Sequence, residues 1–353
     1  MKLLSILALA FAAAPARAGL RKLQSPHFTD VKDAIQYAVD NITSIVEADK
    51  RIGYKFVRLG FHDCVGGCDG CVDLLNPDNK GLDVPINILS DIVANCAVLN
   101  ITRADIWALS AMVSVDLLKS EPDVVFPFNW YGRPTCDQLQ AQFPCKAGNC
   151  GATRGPERNL PSPNFDTKQV LTYFNDQFGF TTSQTVALMG VHAIGLVTRT
   201  NSGFVGQGWS KSTSILNNQY YKALVGPNNT LQSRIKQTDL WQHREIVNTD
   251  IVGMPNRHQW TFENLIMLNS DIALVRNFTG RMNTTSGKVL CDFRGVRRCP
   301  AARTTILLMQ KFRNDNLHWL TEFSNVMKLM LEYPVDTSTL SCSVDGLCHL
   351  PPR

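Results

Sequence analysis

A hydrophobic run long enough to span a bilayer is missing from this sequence of 353 residues. Residues 3–15 are apolar but fall short of the about 20 residues that a membrane helix needs. Met1 and Lys2 precede this run, and Ala16-Arg17-Ala18 follows it as a small-x-small cleavage site. We therefore predict a signal peptide over residues 1–18, secretion of the mature chain, and no membrane partner.

Long runs of one charge are also missing. The formal net charge is +5, but the basic residues are spread along the chain. Nucleic-acid-binding surfaces concentrate Lys and Arg on one face, so we do not expect nucleic acid as a partner. Internal repeats are absent too, which excludes solenoid and propeller architectures.

Strand-like alternation is scarce, whereas apolar residues recur at helical spacing in many segments. We predict helices over residues 30–47, 84–99, 101–118, 166–178, 183–197, 216–224, 260–275 and 316–331. Prolines and glycines interrupt residues 121–163, which predicts a long connection between two helical halves. The sequence thus indicates a mainly α domain over residues 19–335, followed by a tail over residues 336–353.

The number of cysteines, eleven, indicates an oxidising compartment, and the odd count leaves at least one unpaired. Close spacing predicts that Cys291 pairs with Cys299, and that Cys342 pairs with Cys348 to hold the tail. Five glycosylation sequons agree with secretion and predict a glycoprotein, at Asn41, Asn100, Asn228, Asn277 and Asn283.

Two histidines stand in patterns that carry chemistry. Arg58 and His62 are four residues apart, so a cation and an imidazole share one helix face. His192 lies in an apolar helix between Gly190 and Gly195, where small residues leave room for a flat ligand to approach.

Both patterns, in this order, resemble the haem peroxidase superfamily of plants, fungi and bacteria. Its distal motif is similar to Arg58-Leu-Gly-Phe-His-Asp-Cys64, and its proximal motif to Ala187-Leu-Met-Gly-Val-His192-Ala-Ile-Gly195. The resemblance extends over residues 30–332. It implies a two-lobed helical fold with b-type haem between the lobes. It also implies that hydrogen peroxide raises the iron to a ferryl state, which then oxidises two molecules of a small donor.

On the proximal side, the resemblance implies that His192 ligates the iron and that Asp271 accepts a hydrogen bond from its other ring nitrogen. Such a carboxylate makes the imidazole a stronger donor to the metal. Trp209 lies one residue later than the tryptophan of the branch containing cytochrome c and ascorbate peroxidases. It is either the same radical-forming ring or an aromatic residue of a turn.

On the distal side, the resemblance implies that His62 acts first as a base and then as an acid toward peroxide. Arg58 stabilises the negative charge that develops as the O–O bond breaks. Asn79 hydrogen-bonds His62 and keeps it able to accept a proton, and Phe61 lies over the haem.

A distal calcium ion is a further expectation. Asp63, Gly67 and Asp69 stand where secreted relatives bind calcium through oxygen ligands. Cys71 occupies the position of a serine ligand, however. Either the site loses a ligand, or calcium is absent and the local cysteines hold the loop.

The sequence does not identify the electron donor, because this chain combines features of the secreted branches with features of the branch that contains cytochrome c and ascorbate peroxidases. Asn201 stands where ascorbate-binding relatives carry Arg, and Arg199 is close enough in sequence to compensate. We expect a monomer. Two other interpretations are a secreted binding protein that kept the fold and lost haem, and a zinc enzyme built on Cys68-x-x-Cys71.

Overall fold

A computed structural model describes residues 26–139, 151–156, 158–198, 208–226, 236–239, 258–262, 265–283, 289, 299–332 and 341–342. The predicted signal peptide, Arg199, Asn201 and the Cys342–Cys348 pair lie outside the residues whose side chains it describes. Helices dominate the described residues, which confirms the prediction of a mainly α fold.

The amino-terminal lobe consists of four helices around one buried apolar cluster. They are α1 (Val31–Ala48), α2 (Lys50–Cys64), α3 (Asp83–Cys96) and α4 (Arg103–Leu118). Thr102 and Asp105 form a capping box at the start of α4, which satisfies backbone N–H groups that lack helical partners. Helix α4 is buried around nearly its whole circumference, and it packs along α2, the helix that carries Arg58 and His62.

A second apolar cluster, which also includes Val57 of α2 and Val115 of α4, forms the core of the carboxy-terminal lobe. Its helices are α5 (Thr167–Phe178), α6 (Thr182–Met189), α7 (Gln219–Leu224), α8 (Asn269–Ile272), α9 (Ile306–Asn314) and α10 (Asn316–Glu332). Helix α10 contacts both α6 and α2, so it belongs to both lobes. Arg133, in the connecting segment, pairs with the buried carboxylate of Asp105 at 2.9 Å and donates to the carbonyl of Leu331. This buried ion pair ties α4 to α10.

The predicted helix over residues 260–275 is mostly wrong. Strand β3 (His258–Phe262) pairs antiparallel with β2 (Lys236–Asp239) and with β4 (Leu265–Met267). Of the residues described between 260 and 275, only the four of α8 are helical. Aromatic and β-branched residues favour a strand here, and pairing with β2 outweighs the helical spacing. A second small sheet pairs β1 (Trp130–Tyr131) with β5 (Ser341–Cys342).

Three short 3₁₀ segments complete the described secondary structure: Pro77–Asn79, Ala97–Leu99 and Gly190–Ala193. The last of them follows α6, so the helix predicted over residues 183–197 ends early. The α-helix over 306–314 was not predicted.

Two disulfides pin the loop after α2. Cys64 pairs with Cys68 across four residues, and Cys71 pairs with Cys136. Neither Cys68 nor Cys71 is therefore a free thiolate, which removes the basis of the zinc interpretation. Cys96 is a buried free thiol, as the odd count predicts. Cys299 is disulfide-bonded, but Cys291 lies outside the described residues, so their pairing stays a prediction.

None of the described helices combines the length and the apolar character that crossing a membrane requires.

Candidate active site

His192 lies in the 3₁₀ segment Gly190–Ala193, directly after α6. A Cβ at Gly190 would lie 2.4 Å from the Tyr221 hydroxyl and 2.6 Å from the Trp319 ring. Packing against Tyr221 and Trp319 therefore requires glycine at position 190, and the approach of a flat ligand to His192 stays a prediction. Gly195 has φ +81°, a backbone conformation that favours glycine.

The buried carboxylate of Asp271 accepts four hydrogen bonds. One oxygen accepts from His192 Nδ1 and from the Tyr220 hydroxyl, both at 2.8 Å. The other accepts from Trp209 Nε1 at 2.8 Å and from the backbone N–H of Leu268 at 2.6 Å. Both oxygens of this carboxylate therefore act as hydrogen-bond acceptors.

These contacts determine where the proton of His192 sits. Both oxygens of Asp271 accept hydrogen bonds from other donors, so Nδ1 of His192 is the donor in this pair. In the neutral imidazole Nε2 is then the nitrogen with the lone pair, and it has no hydrogen-bond partner among the described residues. The side chain of His192 is 25% exposed although that of Asp271 is 0% exposed, so the histidine reaches out of the core while its partner stays inside.

Aromatic rings enclose this histidine. The Trp209 ring stacks on His192 with 4.4 Å between centroids and 17° between planes. Tyr220 meets His192 edge-on at 5.8 Å. Burial and the neighbouring Asp271 raise the pKa of Tyr220 well above its usual range, so it stays a hydroxyl donor.

The second histidine, His62, lies near the end of α2. Its Nδ1 is 2.7 Å from Oδ1 of Asn79, whose Nδ2 donates to the backbone carbonyl of Asp73. That second bond fixes the orientation of the amide, so Oδ1 is the acceptor and Nδ1 of His62 carries the hydrogen. Nε2 of His62 is again the nitrogen with a lone pair.

Arg58 lies one turn before His62 and reaches the same segment. Its guanidinium donates to the carbonyls of Lys80 at 3.0 Å and Asp78 at 2.6 Å. Burial, together with the positive charge of Arg58, lowers the pKa of His62 to about 3. His62 is therefore neutral, and able to accept a proton, over the whole physiological pH range.

Phe61 lies half-buried beside His62. Its ring centroid is 6.3 Å from that of Phe174 and 6.4 Å from that of Phe178, both on α5. Phe61 packs against the apolar cluster of the carboxy-terminal lobe. This aromatic contact connects the helix of His62 to the lobe of His192.

The residues predicted to bind calcium surround an arginine. Arg158 donates to the carbonyls of Asp63 and Val65, and to the Asp69 carboxylate at 2.5 Å. Burial and the charge of Asp69 raise the pKa of Asp63 to about 8. Gly67 belongs to the same loop and donates its backbone N–H to the carbonyl of Cys64.

A comparison with known proteins identifies the family of this chain. A family model described as Peroxidase matches residues 38–285. The chain belongs to the peroxidase family. The match confirms the predicted family and supports a peroxide-dependent oxidoreductase that holds haem.

Three relatives illustrate the breadth of the family. A putative heme-binding peroxidase of Candida albicans is 24% identical over 72% of this chain and 81% of its own length. Peroxidase RIP1 of Medicago truncatula is 31% identical over 49% of this chain and 54% of its own. A mitochondrial cytochrome c peroxidase of Candida albicans is 27% identical over 52% of this chain and 49% of its own length. The chain thus spans about half the length of the last two.

Sequence reasoning missed two residues of this region. Tyr220 stands in a stretch that resembles the family, but its hydroxyl contact with Asp271 depends on a fold that brings together residues 51 positions apart. Arg158 reaches Asp63 across 95 positions, and no local pattern signals that contact.

Proposed function

We propose that this chain is a secreted haem peroxidase that reduces hydrogen peroxide to two waters while two small donor molecules each lose one electron. The observation that carries the proposal is the state of the two histidines. Each donates Nδ1–H to a fixed oxygen and keeps a lone pair on Nε2. One such nitrogen suits an iron ligand, and the other suits a base.

His192 and Asp271 fit a non-covalent b-type haem. A metal-ligating histidine usually donates its other ring N–H to a carboxylate or a backbone carbonyl, and the partly exposed His192 donates to the fully buried Asp271. When bound, the haem supplies the redox reaction with peroxide. The carboxylate holds the His192 ring in one orientation and strengthens its Nε2 as a donor to the metal.

His62 then transfers a proton between the two oxygens of the peroxide. Its Nε2 accepts the proton of one peroxide oxygen and returns it to the other oxygen as water leaves. Asn79 holds the ring in the tautomer that this transfer requires. The guanidinium of Arg58 supplies positive charge for the O–O cleavage, when negative charge develops.

The stacking of Trp209 on His192 favours electron transfer over the simpler role of a turn aromatic. The indole N–H is bonded to the same carboxylate as the histidine, so the ring is coupled to the proximal ligand in two ways. Trp209→Phe should leave haem binding intact and slow the oxidation of large donors that cannot reach the haem.

Secretion is supported by the two disulfides, which form readily in an oxidising compartment. Peptide mapping of the protein from its culture medium, under non-reducing conditions, should recover both pairs. Finding these four cysteines as free thiols in the natural protein would contradict the proposed compartment.

Haem binding by His192 is the decisive test. The purified chain titrated with haemin should develop a Soret band, and His192→Ala should lose or grossly alter it. His27→Ala, which removes an exposed histidine, is the matched control and should behave as wild type. A wild-type chain without a Soret band would instead favour a binding protein that has lost haem. Steady-state assays with phenols, ascorbate, Mn(II) and cytochrome c would then identify the donor.

A further inference from the structure

The loop that follows the distal helix α2 is organised around a buried arginine. The side chain of Arg158 is 8% exposed, and that of its partner Asp69 is 2% exposed. Its Nη1 donates to the carbonyls of Asp63 and Val65, and its Nη2 donates to the Asp69 carboxylate. The Arg158 stem also packs over Gly66, where a Cβ would lie 3.4 Å from it.

These oxygens are typical calcium ligands, since a calcium ion takes six to eight oxygen ligands from carboxylates and carbonyls. In this loop Arg158 binds them with its own N–H groups. The side chain at position 71 offers no oxygen, because Cys71 is bonded to Cys136. In the described part of this loop, Oδ2 of Asp63, Oδ2 of Asp69 and Nε of Arg158 are buried without a hydrogen-bond partner.

The position of Arg158 is fixed by the loop that carries it. Val72 donates to Ala152, and Gly155 donates back to Val72, each at 3.2 Å. A Cβ at Gly155 would lie 2.9 Å from the backbone of Cys71, so only glycine permits this approach. Backbone hydrogen bonds thus hold the segment before Arg158 in a fixed position beside the loop that follows α2.

We propose that Arg158 is an internal cation that replaces calcium in this loop and fixes the end of helix α2. Because Asp63 directly follows His62, Arg158 is also a positioning residue for His62. The replacement of calcium does not depend on the proposed function, whereas the effect on His62 rests on it.

The wild-type chain gives the first test. After purification in calcium-containing buffer and desalting, atomic absorption should find far less than one calcium ion per chain. EDTA and CaCl₂ should both leave the melting temperature unchanged. One calcium ion per chain, with a fall in melting temperature when EDTA removes it, would overturn the proposal.

The second test removes the cation. Arg158→Ala should lower the melting temperature by roughly 5–10 °C, because it leaves buried carboxylate and carbonyl oxygens without a partner. Millimolar CaCl₂ should restore at least half of the loss. MgCl₂ should restore less, since magnesium demands a small octahedral site. Arg154→Ala, an exposed arginine on the same segment, is the matched control and should show neither effect.

Either of two results would overturn the proposal: a wild-type melting temperature in Arg158→Ala, or a fall that calcium leaves unchanged. Should Arg158→Ala fail to fold, Arg158→Lys takes its place. That variant retains the charge, so it should fold, melt below wild type and show no calcium response. A calcium ion bound by Arg158→Lys would contradict the proposal.

The positioning of His62 has its own readout. The rate at which the Soret band changes after mixing with hydrogen peroxide should fall in Arg158→Ala and recover with CaCl₂. An unchanged rate would remove the positioning role and leave the calcium replacement standing. A wild-type chain without a Soret band would refute the proposed function, but the melting and calcium measurements would still decide the replacement.

Discussion

The hydroxyl of Tyr220 shares one oxygen of Asp271 with His192 Nδ1, and each bond is 2.8 Å long. This hydroxyl withdraws charge from the carboxylate and so weakens the bond to the histidine. Tyr220→Phe should therefore strengthen the His192–Asp271 bond. A stronger bond makes His192 a better donor and stabilises ferric over ferrous iron. The reduction potential of the bound haem iron should fall.

The size of the effect follows from the charged acceptor. A hydrogen bond to a charged group contributes about 1.5–3 kcal/mol, and only part of it differs between the two iron states. Since a tenfold change in a one-electron equilibrium corresponds to about 59 mV, we expect a fall of roughly 20–60 mV. The free energy of unfolding should fall by about 1–3 kcal/mol, because Asp271 is buried and loses one donor.

Tyr221→Phe is a matched control for this change. Tyr221 is adjacent in sequence and equally buried, but its hydroxyl donates to the backbone carbonyls of Val186 and Ala187. Tyr221→Phe should lower the free energy of unfolding without changing the reduction potential of the haem iron. Spectroelectrochemical titration and calorimetry measure the two quantities. A potential in Tyr220→Phe that stays at the wild-type value or rises would refute the reasoning.

Four further predictions concern the rest of the site and one disulfide of the carboxy-terminal lobe. His62→Ala should keep its Soret band and react with peroxide about 10²–10⁴-fold more slowly in stopped-flow experiments, and a wild-type rate would show that His62 is not the base. Arg58→Leu removes a positive charge that disfavours protonated His62, so the pKa of His62 should rise. Because neutral His62 is the proposed base, the acid limb of kcat/KM for peroxide should move to higher pH by roughly one unit. An acid limb that stays in place or moves to lower pH contradicts this prediction. Asp271→Asn should retain haem and raise its potential, unless the His192 bond is absent in solution. Peptide mapping without reduction should find Cys291 linked to Cys299, and a free thiol at Cys299 is the contrary outcome.

The sequence was most informative where a functional group and its neighbours share one helical turn. Arg58 and His62 could be paired from their spacing alone, because a helix places residues four apart on one face. Asp271 is 79 residues from His192, so its role came only through resemblance to a family. Tyr220 and Arg158 act through long-range contacts that local patterns do not encode.

The small sheet was missed for a related reason. Residues 260–267 have apolar spacing that suits a helix, but β3 pairs with β2, which lies about 20 residues earlier in the chain. Pairing with a distant segment decides between strand and helix when local preference is weak. The same limit applies to the early end of α6, where packing of Gly190 against Trp319 replaces the regular helix.

The buried pair of Arg133 and Asp105 has a consequence for the synthesis of the protein. Arg133 also donates to Leu331, a residue 198 positions later, in the last long helix. The guanidinium therefore enters the growing chain long before one of its acceptors is made. Until α10 is synthesised, the charged side chain of Arg133 lacks the Leu331 carbonyl that accepts two of its hydrogen bonds. We expect a ribosome-bound chain that ends before residue 316 to stay sensitive to protease near the connecting segment, and to become resistant only when α10 has emerged.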